Sequence, residues 1–193
     1  MPKVNAESKL LTVREHFTLR EGELRLVVVA DTHGKPHPRS AELIAKEEPD
    51  RILHAGDIGD LAVLDQLATI APVSAVRGNI DGHGSDIPDA RVIAVRDGDA
   101  TLLQLVLLHI AVNGPRLRAD AIRLAKAEDA SVVVCGHSHV PFLGRDRGLV
   151  MFNPGSIGPR RFQLPILFGV IHVNRQRVEM RHIDCESGNV WHP

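Results

Sequence analysis

Short apolar runs, each followed by a turn that contains a polar residue, recur along the chain and predict buried strands. The runs are rich in Val, Leu and Ile and are shorter than typical helices. They cover residues 24–30, 51–55, 73–76, 102–108 and 131–135. Each run leads to a residue type that can bind a metal ion, and these residues are Asp31, Asp57, Asn79, His109 and His137.

Helical patterns lie between the predicted strands. Residues 40–48 form the first helix and residues 61–70 the second, with Asp60 as its N-cap, and a proline ends each of them. A third helix is predicted over residues 115–128, where apolar residues recur at helical spacing. Strands that alternate with helices in this way indicate βαβ crossovers.

Other apolar segments are close neighbours in the chain and predict antiparallel hairpins. A turn-forming stretch with Gly or Asn separates the two strands of each pair. The pairs are 91–96 with 101–108, 140–144 with 149–152, and 166–173 with 178–183. Hairpins beside parallel crossovers predict a mixed sheet.

The composition is that of an ordinary globular protein, with 44% hydrophobic and 24% charged residues in a chain of 193. Residues 25–193 are expected to form one domain, preceded by an N-terminal extension, residues 1–24, that carries no motif. No apolar run approaches the roughly 20 residues of a membrane span, and the N terminus lacks the apolar middle of a signal peptide. The expected location is therefore the cytoplasm.

The formal net charge of -1 excludes a general electrostatic attraction for nucleic acid or anionic lipid. A phosphate-bearing partner must be bound by local groups, so the expected partner is a small-molecule phosphoester. The low aromatic content, 3%, and the lack of a basic stripe argue against nucleic acid except as a short substrate. The sequence leaves the oligomeric state open.

Seven residues near the ends of the predicted strands form a candidate metal centre. They are Asp31, His33, Asp57, Asn79, His109, His137 and His139. In open α/β sheets, ligands bind at the carboxyl ends of the strands, so these side chains are expected to converge. Two ions about 3.5 to 4 Å apart would use all seven, with Asp57 as the shared carboxylate.

The types of these ligands indicate which metal ions suit the site. Carboxylate, imidazole and amide groups without thiolate suit manganese, iron or zinc better than a structural zinc site. Manganese is the first expectation, with iron, zinc and nickel as alternatives. The two cysteines of the chain are too few for a thiolate site.

The motifs around these residues resemble those of the calcineurin-like metallophosphoesterases, especially their small bacterial and archaeal phosphodiesterases, over residues 25–183. Each motif alone is weak evidence, but the complete set in the expected order is specific for the family. The motifs are Asp31-Thr32-His33, Gly56-Asp57, Gly78-Asn79-Ile80-Asp81, His109, Gly136-His137-Ser138-His139 and Asn153-Pro154-Gly155-Ser156.

The resemblance implies an α/β fold with mixed sheets, a four-layer αββα sandwich. It also implies one metal ion held by Asp31, His33, Asp57 and His139, and a second held by Asp57, Asn79, His109 and His137. A hydroxide that bridges the two ions would attack the phosphorus, so no protein nucleophile is needed. Gly56, Gly78 and Gly136 each precede a ligand and are expected to let the chain turn sharply there.

Two positions depart from the family pattern. Many relatives have a histidine after the motif asparagine that helps to protonate the leaving group, whereas this chain has Ile80 followed by Asp81. Asp81 is therefore a candidate catalytic helper, together with Asn79. Relatives usually have Gly after the fourth-strand histidine, whereas this chain has Ile110, so the loop that follows is expected to differ.

Three further features have both a functional and a structural interpretation. His54 lies within a predicted strand, where a supporting or core histidine is favoured over a ligand. The segment 153–156 is either a simple turn or a loop near the site. Arg160 and Arg161 follow it and could contact a substrate phosphate, although a solvated pair of arginines is the simpler interpretation.

Three functions fit these patterns. The first is a phosphodiesterase and the second is a phosphomonoesterase or nucleotide phosphatase, since the metal chemistry is shared and the pocket walls select the substrate. The third is a non-catalytic interaction scaffold, as in the small retromer subunit that resembles this family but has lost part of its ligand set. The complete ligand set of this chain favours an enzyme.

Overall fold

The computed structural model describes residues 10–82 and 86–192. These residues form two six-stranded sheets, one small two-stranded sheet and three helices. The helices are α1 (Ser40–Lys46), α2 (Ala62–Ala68) and α3 (Ala119–Ala127). The strands are β1 (Thr12–Thr18), β2 (Glu23–Val29), β3 (Arg51–His54), β4 (Val73–Ala75), β5 (Ala90–Asp97), β6 (Ala100–Leu108), β7 (Val112–Asn113), β8 (Arg116–Leu117), β9 (Val132–Val134), β10 (Phe142–Asp146), β11 (Leu149–Asn153), β12 (Leu167–Asn174), β13 (Val178–Asp184) and β14 (Val190–Trp191).

The two large sheets differ in strand direction and order. The first sheet has the order β14-β13-β12-β2-β3-β4, in which β2, β3 and β4 run parallel to one another. The second has the order β1-β5-β6-β9-β11-β10, in which β6, β9 and β11 are parallel. The small hairpin β7-β8 follows β6.

The layers are α1 and α2, the first sheet, the second sheet, and α3. Side chains alternate between the two faces of β2. Leu26 and Val28 face the second sheet, whereas Val27 and Val29 pack on the helix side. On the outer face of the second sheet, Ala121 of α3 packs in a third buried cluster with strand residues such as Val106. The αββα sandwich is therefore confirmed.

Both large sheets are mixed, as expected, and the five strands that lead to predicted ligands are divided between them. Three of them, β2, β3 and β4, lie in the first sheet, and β6 and β9 lie in the second. A buried strand shows the same run of apolar residues in either sheet, so the pattern alone does not distinguish them.

Two predicted elements begin two or more residues later than expected. The third helix starts at Ala119 instead of residue 115, because Gly114 adopts a φ of 57° and the chain forms the β7-β8 hairpin. The strand predicted from residue 140 starts at Phe142, after Pro141, which has no N–H to donate.

Part of the predicted N-terminal extension belongs to the second sheet. Strand β1 pairs in parallel with β5 at the sheet edge, from Thr12 with Ala90 to Thr18 with Arg96. The Arg14 side chain also forms an ion pair with Glu128, next to the end of α3. Among the described residues, no helix is long and apolar enough to cross a membrane.

Candidate metal centre

Backbone hydrogen bonds join the loops that carry the predicted ligands. Within the first sheet, His33 N donates to Asp57 O at 3.0 Å, and within the second, Gly136 N donates to His109 O at 3.1 Å. The two sheets meet where His137 N donates to the Asp31 carboxylate, at 3.0 and 3.2 Å from its two oxygens. Ligands from both sheets therefore converge at one edge of the sandwich.

Six of the seven predicted ligands form two compact groups. In each group, one potential ligand atom from each residue lies within 4.8 Å of the others. The first group is Asp31, His33 and His139, and the second is Asp57, His109 and His137.

The first group brings imidazole nitrogens toward a buried carboxylate. His33 Nε2 and His139 Nε2 lie 3.2 Å apart, and their rings stack with centroids 5.2 Å apart. His139 Nε2 also lies 3.5 Å from Asp31 Oδ1. A carboxylate oxygen and two imidazole nitrogens thus face one another, as the ligand atoms of a chelated ion must.

Asp57 joins the two groups. Its Oδ1 lies 3.2 Å from His109 Nε2, and its Oδ2 lies 3.9 Å from His33 Nε2. The Ile80 N–H donates to Oδ1 at 3.2 Å and fixes the carboxylate. A carboxylate with one oxygen toward each histidine group has the arrangement of a bridging ligand.

The ring of His109 is oriented for metal binding. Its Nδ1 donates to Ala55 O at 2.7 Å, so the Nε2 lone pair of the neutral ring points toward Asp57. Among the described residues, this buried Nε2 has no partner in hydrogen-bonding geometry, despite its distance of 3.2 Å from the carboxylate. A proton or a cation must separate the two acceptors, and a histidine whose other nitrogen donates to a carbonyl is typical of a metal ligand.

Burial shapes the ionisation of the first group. Burial raises the pKa of Asp31 to about 7, and the charge of His109 only partly opposes this effect. Burial also lowers the pKa of His139 to about 4 and lowers the pKa of His33. Near neutral pH these imidazoles are neutral, and a cation in the site would stabilise the ionised form of Asp31.

In the second group, Asp57 and His109 stabilise each other's charged forms. Burial by itself would raise the pKa of Asp57, but its proximity to His109 keeps that pKa below the ordinary value. Burial would likewise lower the pKa of His109, but the neighbouring Asp57 and Asp31 carboxylates raise it. The site therefore attracts positive charge between these side chains.

Five of the predicted ligands have left-handed backbone conformations, which are uncommon for residues other than Gly. Their φ values lie between 48° and 68°. They are Asp31, His33, Asp57, His137 and His139. Such conformations cost free energy and persist where the surrounding structure enforces them, and they cluster at functional sites.

The glycines before the ligands differ in their role. Gly56 has a φ of 91°, so the expected sharp turn occurs there. Gly78 has no such conformation, but a Cβ at this position would overlap the backbone N and Oδ1 of Asp57. Glycine is needed at position 78 because there is no space for a Cβ, and not because of its backbone conformation.

Asn79 and Asp81 lie on the bend that follows β4. Asn79 is exposed at the rim of the site, next to Ile80, whose N–H contacts Asp57. The Asp81 carboxylate accepts hydrogen bonds from three backbone N–H groups, at 3.0 Å from Ile58, 3.0 Å from Gly59 and 2.7 Å from Gly78. These contacts tie the loop of Asp57 to that of Asn79, so Asp81 positions ligands.

His54 and the segment 153–156 lie behind the ligands and support them. Buried His54 contacts the Thr32 hydroxyl through Nε2 at 3.0 Å. Asn153 donates to Gly136 O at 2.8 Å, and the Ser156 hydroxyl donates to Asp31 O at 2.9 Å. These contacts favour the interpretation of the segment as a loop near the site. In the sequence, the Asn-Pro-Gly-Ser motif indicated this role.

The two adjacent arginines have different surroundings. Arg160 forms an ion pair with Glu186 and donates to Leu164 O at 2.9 Å, away from the ligands. Arg161 is exposed, and its guanidinium lies 3.3 Å from His33 Nε2. Phe162, which the sequence did not single out, follows with a φ of 54° and 93% exposure.

Comparisons with known proteins identify the family of the chain. Residues 24–176 match the family model of the calcineurin-like phosphoesterase superfamily domain. A protein of Methanocaldococcus jannaschii named as a probable metallophosphoesterase is 31% identical over 146 residues, which are 72% of this chain and 71% of that protein.

Solved structures share the fold. Vacuolar Protein Sorting 29 from Cryptosporidium parvum is similar with a TM-score of 0.71 and 18% identity, over 89% of this chain and 96% of that one. A predicted phosphoesterase from Streptococcus pneumoniae is similar with a TM-score of 0.65 and 19% identity, over 88% of this chain and 93% of that one. At these identities the likeness concerns the fold alone.

Proposed function

This chain belongs to the calcineurin-like phosphoesterase superfamily, and on that premise we propose that it hydrolyses phosphodiesters with two divalent metal ions. The observation that carries the proposal is the position of Asp57, with Oδ1 near His109 and Oδ2 near His33. Each of those histidines belongs to a separate group of three potential ligands.

The ligand groups fit divalent ions. The unpartnered Nε2 of His109 faces the Asp57 carboxylate, and the Asp31 carboxyl group is buried beside two imidazoles, so both groups would stabilise a cation placed among them. When bound, two such ions lower the pKa of a water molecule and neutralise charge on the attacked phosphoryl group. Manganese suits the imidazole and carboxylate ligands and is the metal that we propose.

The residues of the chain orient the substrate. Arg161 stands at the rim beside His33, where its guanidinium can donate to a non-bridging phosphate oxygen. Asn79 lies on the bend that follows β4, and we propose that its amide oxygen completes the second ligand group. Asp81 holds the Asn79 loop against the Asp57 loop through its three N–H contacts.

A diester fits these surroundings better than a monoester. A monoester dianion carries more charge than a diester, whereas among the described residues one arginine, Arg161, contacts a predicted ligand, His33. In place of a leaving-group acid, Ile80 presents an apolar side chain that is 51% exposed.

Rates on matched substrates test the proposal. We expect the manganese-loaded protein to have a higher kcat/KM on bis(4-nitrophenyl) phosphate than on 4-nitrophenyl phosphate, which release the same phenolate. A higher kcat/KM on the monoester would instead support the phosphatase function.

A further inference from the structure

A cavity of about 470 Å³ adjoins the candidate metal centre on the side of His137. It lies between the segment that follows β6, the His137-Ser138 loop and the start of β10. His137 is both a member of the second ligand group and part of the cavity wall. A molecule held by the metal ligands would therefore reach directly into this space.

The wall of the cavity is mainly apolar. Ile110, Val112, Val140 and Phe142 contribute aliphatic and aromatic surface, and all four are partly exposed. Apart from His137, no described lining residue has an ionisable side chain. Concave, mostly apolar pockets of several hundred Å³ with a few polar groups are typical of small-molecule sites.

The cavity is preformed because its wall is anchored. Val112 and Phe142 pack against the buried cluster beneath α3. The β7-β8 hairpin is held by Leu117 N, which donates to Asp146 Oδ2 at 2.9 Å, and by Arg118 N, which donates to Ala111 O at 2.8 Å. A substituent that enters would not have to order the hairpin first.

The opposite side of the centre has a different character. Arg161 stands next to His33, so one side of the site offers a charged donor and the other offers apolar walls. A phosphoester divides in the same way, into anionic phosphoryl oxygens and an organic group. A separate cavity of about 550 Å³ near Leu102 and Ser131 lies at the other ends of β6 and β9, away from the ligands.

We infer that the cavity beside His137 binds an uncharged, aryl-type substituent of the phosphoester. This inference rests on the proposed function and specifies its substrate class: esters with a ring-sized apolar group are preferred over esters with small alkyl groups. Ile110 supplies part of this specificity wall.

Binding of two phosphonates to the manganese-loaded protein tests the inference without requiring turnover. Phenylphosphonate and methylphosphonate share the anionic group and differ in the substituent. The ratio of their Kd values therefore measures the preference of the cavity for an aryl group. We expect phenylphosphonate to bind at least about tenfold more tightly, the usual discrimination of an apolar pocket. Calorimetry gives both Kd values.

Variants of the wall residues test whether the cavity causes the preference for phenylphosphonate. Val140→Asn adds a polar group to the wall at a side chain that is 44% exposed, and it should reduce the ratio about threefold or more. Leu143→Asn is the matched control, since Leu143 is 52% exposed but lies outside the cavity. Val112→Thr is a second, nearly isosteric wall variant, and it should reduce the ratio in the same direction.

The possible outcomes separate the inference from the function on which it rests. Equal Kd values for both phosphonates, or a preference that survives both wall variants, would overturn the aryl pocket and leave the proposed function standing. Failure of both phosphonates to bind to a protein that hydrolyses bis(4-nitrophenyl) phosphate would overturn the aryl pocket alone. If the protein also fails to hydrolyse that diester, the proposed function is contradicted and the pocket inference is lost with it.

Discussion

His109 Nε2 lies 3.2 Å from Oδ1 of Asp57, while the other nitrogen of the same ring donates to the Ala55 carbonyl. The carbonyl fixes the tautomer, so two acceptors face each other across a short gap unless a proton or a metal ion lies between them. The second oxygen of Asp57 points toward His33 in the other ligand group. Asp57 is thus the side chain on which both groups depend.

Replacing the shared carboxylate should weaken metal binding. We expect Asp57→Asn to lower manganese affinity by more than about tenfold, since even a group that only supports a ligand is worth 10- to 100-fold. Calorimetric titration of the metal-stripped protein measures the affinity. Asp65→Asn removes the same charge from an exposed site on α2 and should change nothing. Equal affinities of wild type and Asp57→Asn would exclude the bridge.

The stability of the metal-stripped protein should depend on the ionisation of Asp31. Its pKa is about 7 in the folded chain and 3.8 ordinarily, so the folded form holds the proton more tightly than the unfolded form. This contribution to stability is fully present below about pH 3.8 and is lost as the pH rises toward 7.

The variant Asp31→Asn isolates this contribution from that of the histidines. The free energy of unfolding of wild type minus that of the variant should fall between pH 4 and 7, as measured by urea denaturation. Excess manganese should reverse the fall, because the cation replaces the proton. A difference that stays constant with pH would show that Asp31 titrates normally.

Arg161, not Arg160, should affect substrate binding. Arg161→Ala is expected to raise KM for the diester about tenfold or more, as loss of a charge-assisted hydrogen bond would. Arg160→Ala is the control because Arg160 pairs with Glu186. Steady-state kinetics of both variants decide the matter, and equal KM values would remove Arg161 from the substrate site.

Asp81 should act on catalysis through the position of its neighbours. Asp81→Asn keeps one carbonyl acceptor for the three N–H groups but loses the second oxygen and the charge, so kcat should fall while the basic limb of the pH–rate profile stays in place. A basic limb that disappears in the variant would instead identify Asp81 as a proton donor, since a general acid must be protonated to act.

The sequence predicted the ligand-bearing strands well because each apolar run ends in a distinct motif, as at Asp31 and His137. The strand pattern by itself did not predict the division into two sheets, since strands buried on both faces read alike, and only the family resemblance implied it. The β7-β8 hairpin was missed because Leu117 fits a helical pattern equally well, and backbone pairing with Val112 decides otherwise. The left-handed ligands and the N–H contacts of Asp81 arise from tertiary contacts that no local pattern encodes.

The sequence also did not predict the different surroundings of Arg160 and Arg161. The two residues are adjacent and chemically identical, and their different partners, Glu186 for Arg160 and His33 for Arg161, depend on the tertiary fold. Candidate ligands could be selected from the sequence because residue type limits metal chemistry, whereas substrate contacts depend on where exposed loops place their side chains.

The most direct test of the account is titration of metal-stripped protein with manganese while hydrolysis of bis(4-nitrophenyl) phosphate is followed, for wild type, Asn79→Ala and His109→Ala. We predict activity that is absent without metal, reaches its plateau at two equivalents of manganese and is lost in both variants. Metal-independent hydrolysis, a plateau at one equivalent, or no hydrolysis with any divalent metal would contradict the two-metal phosphodiesterase.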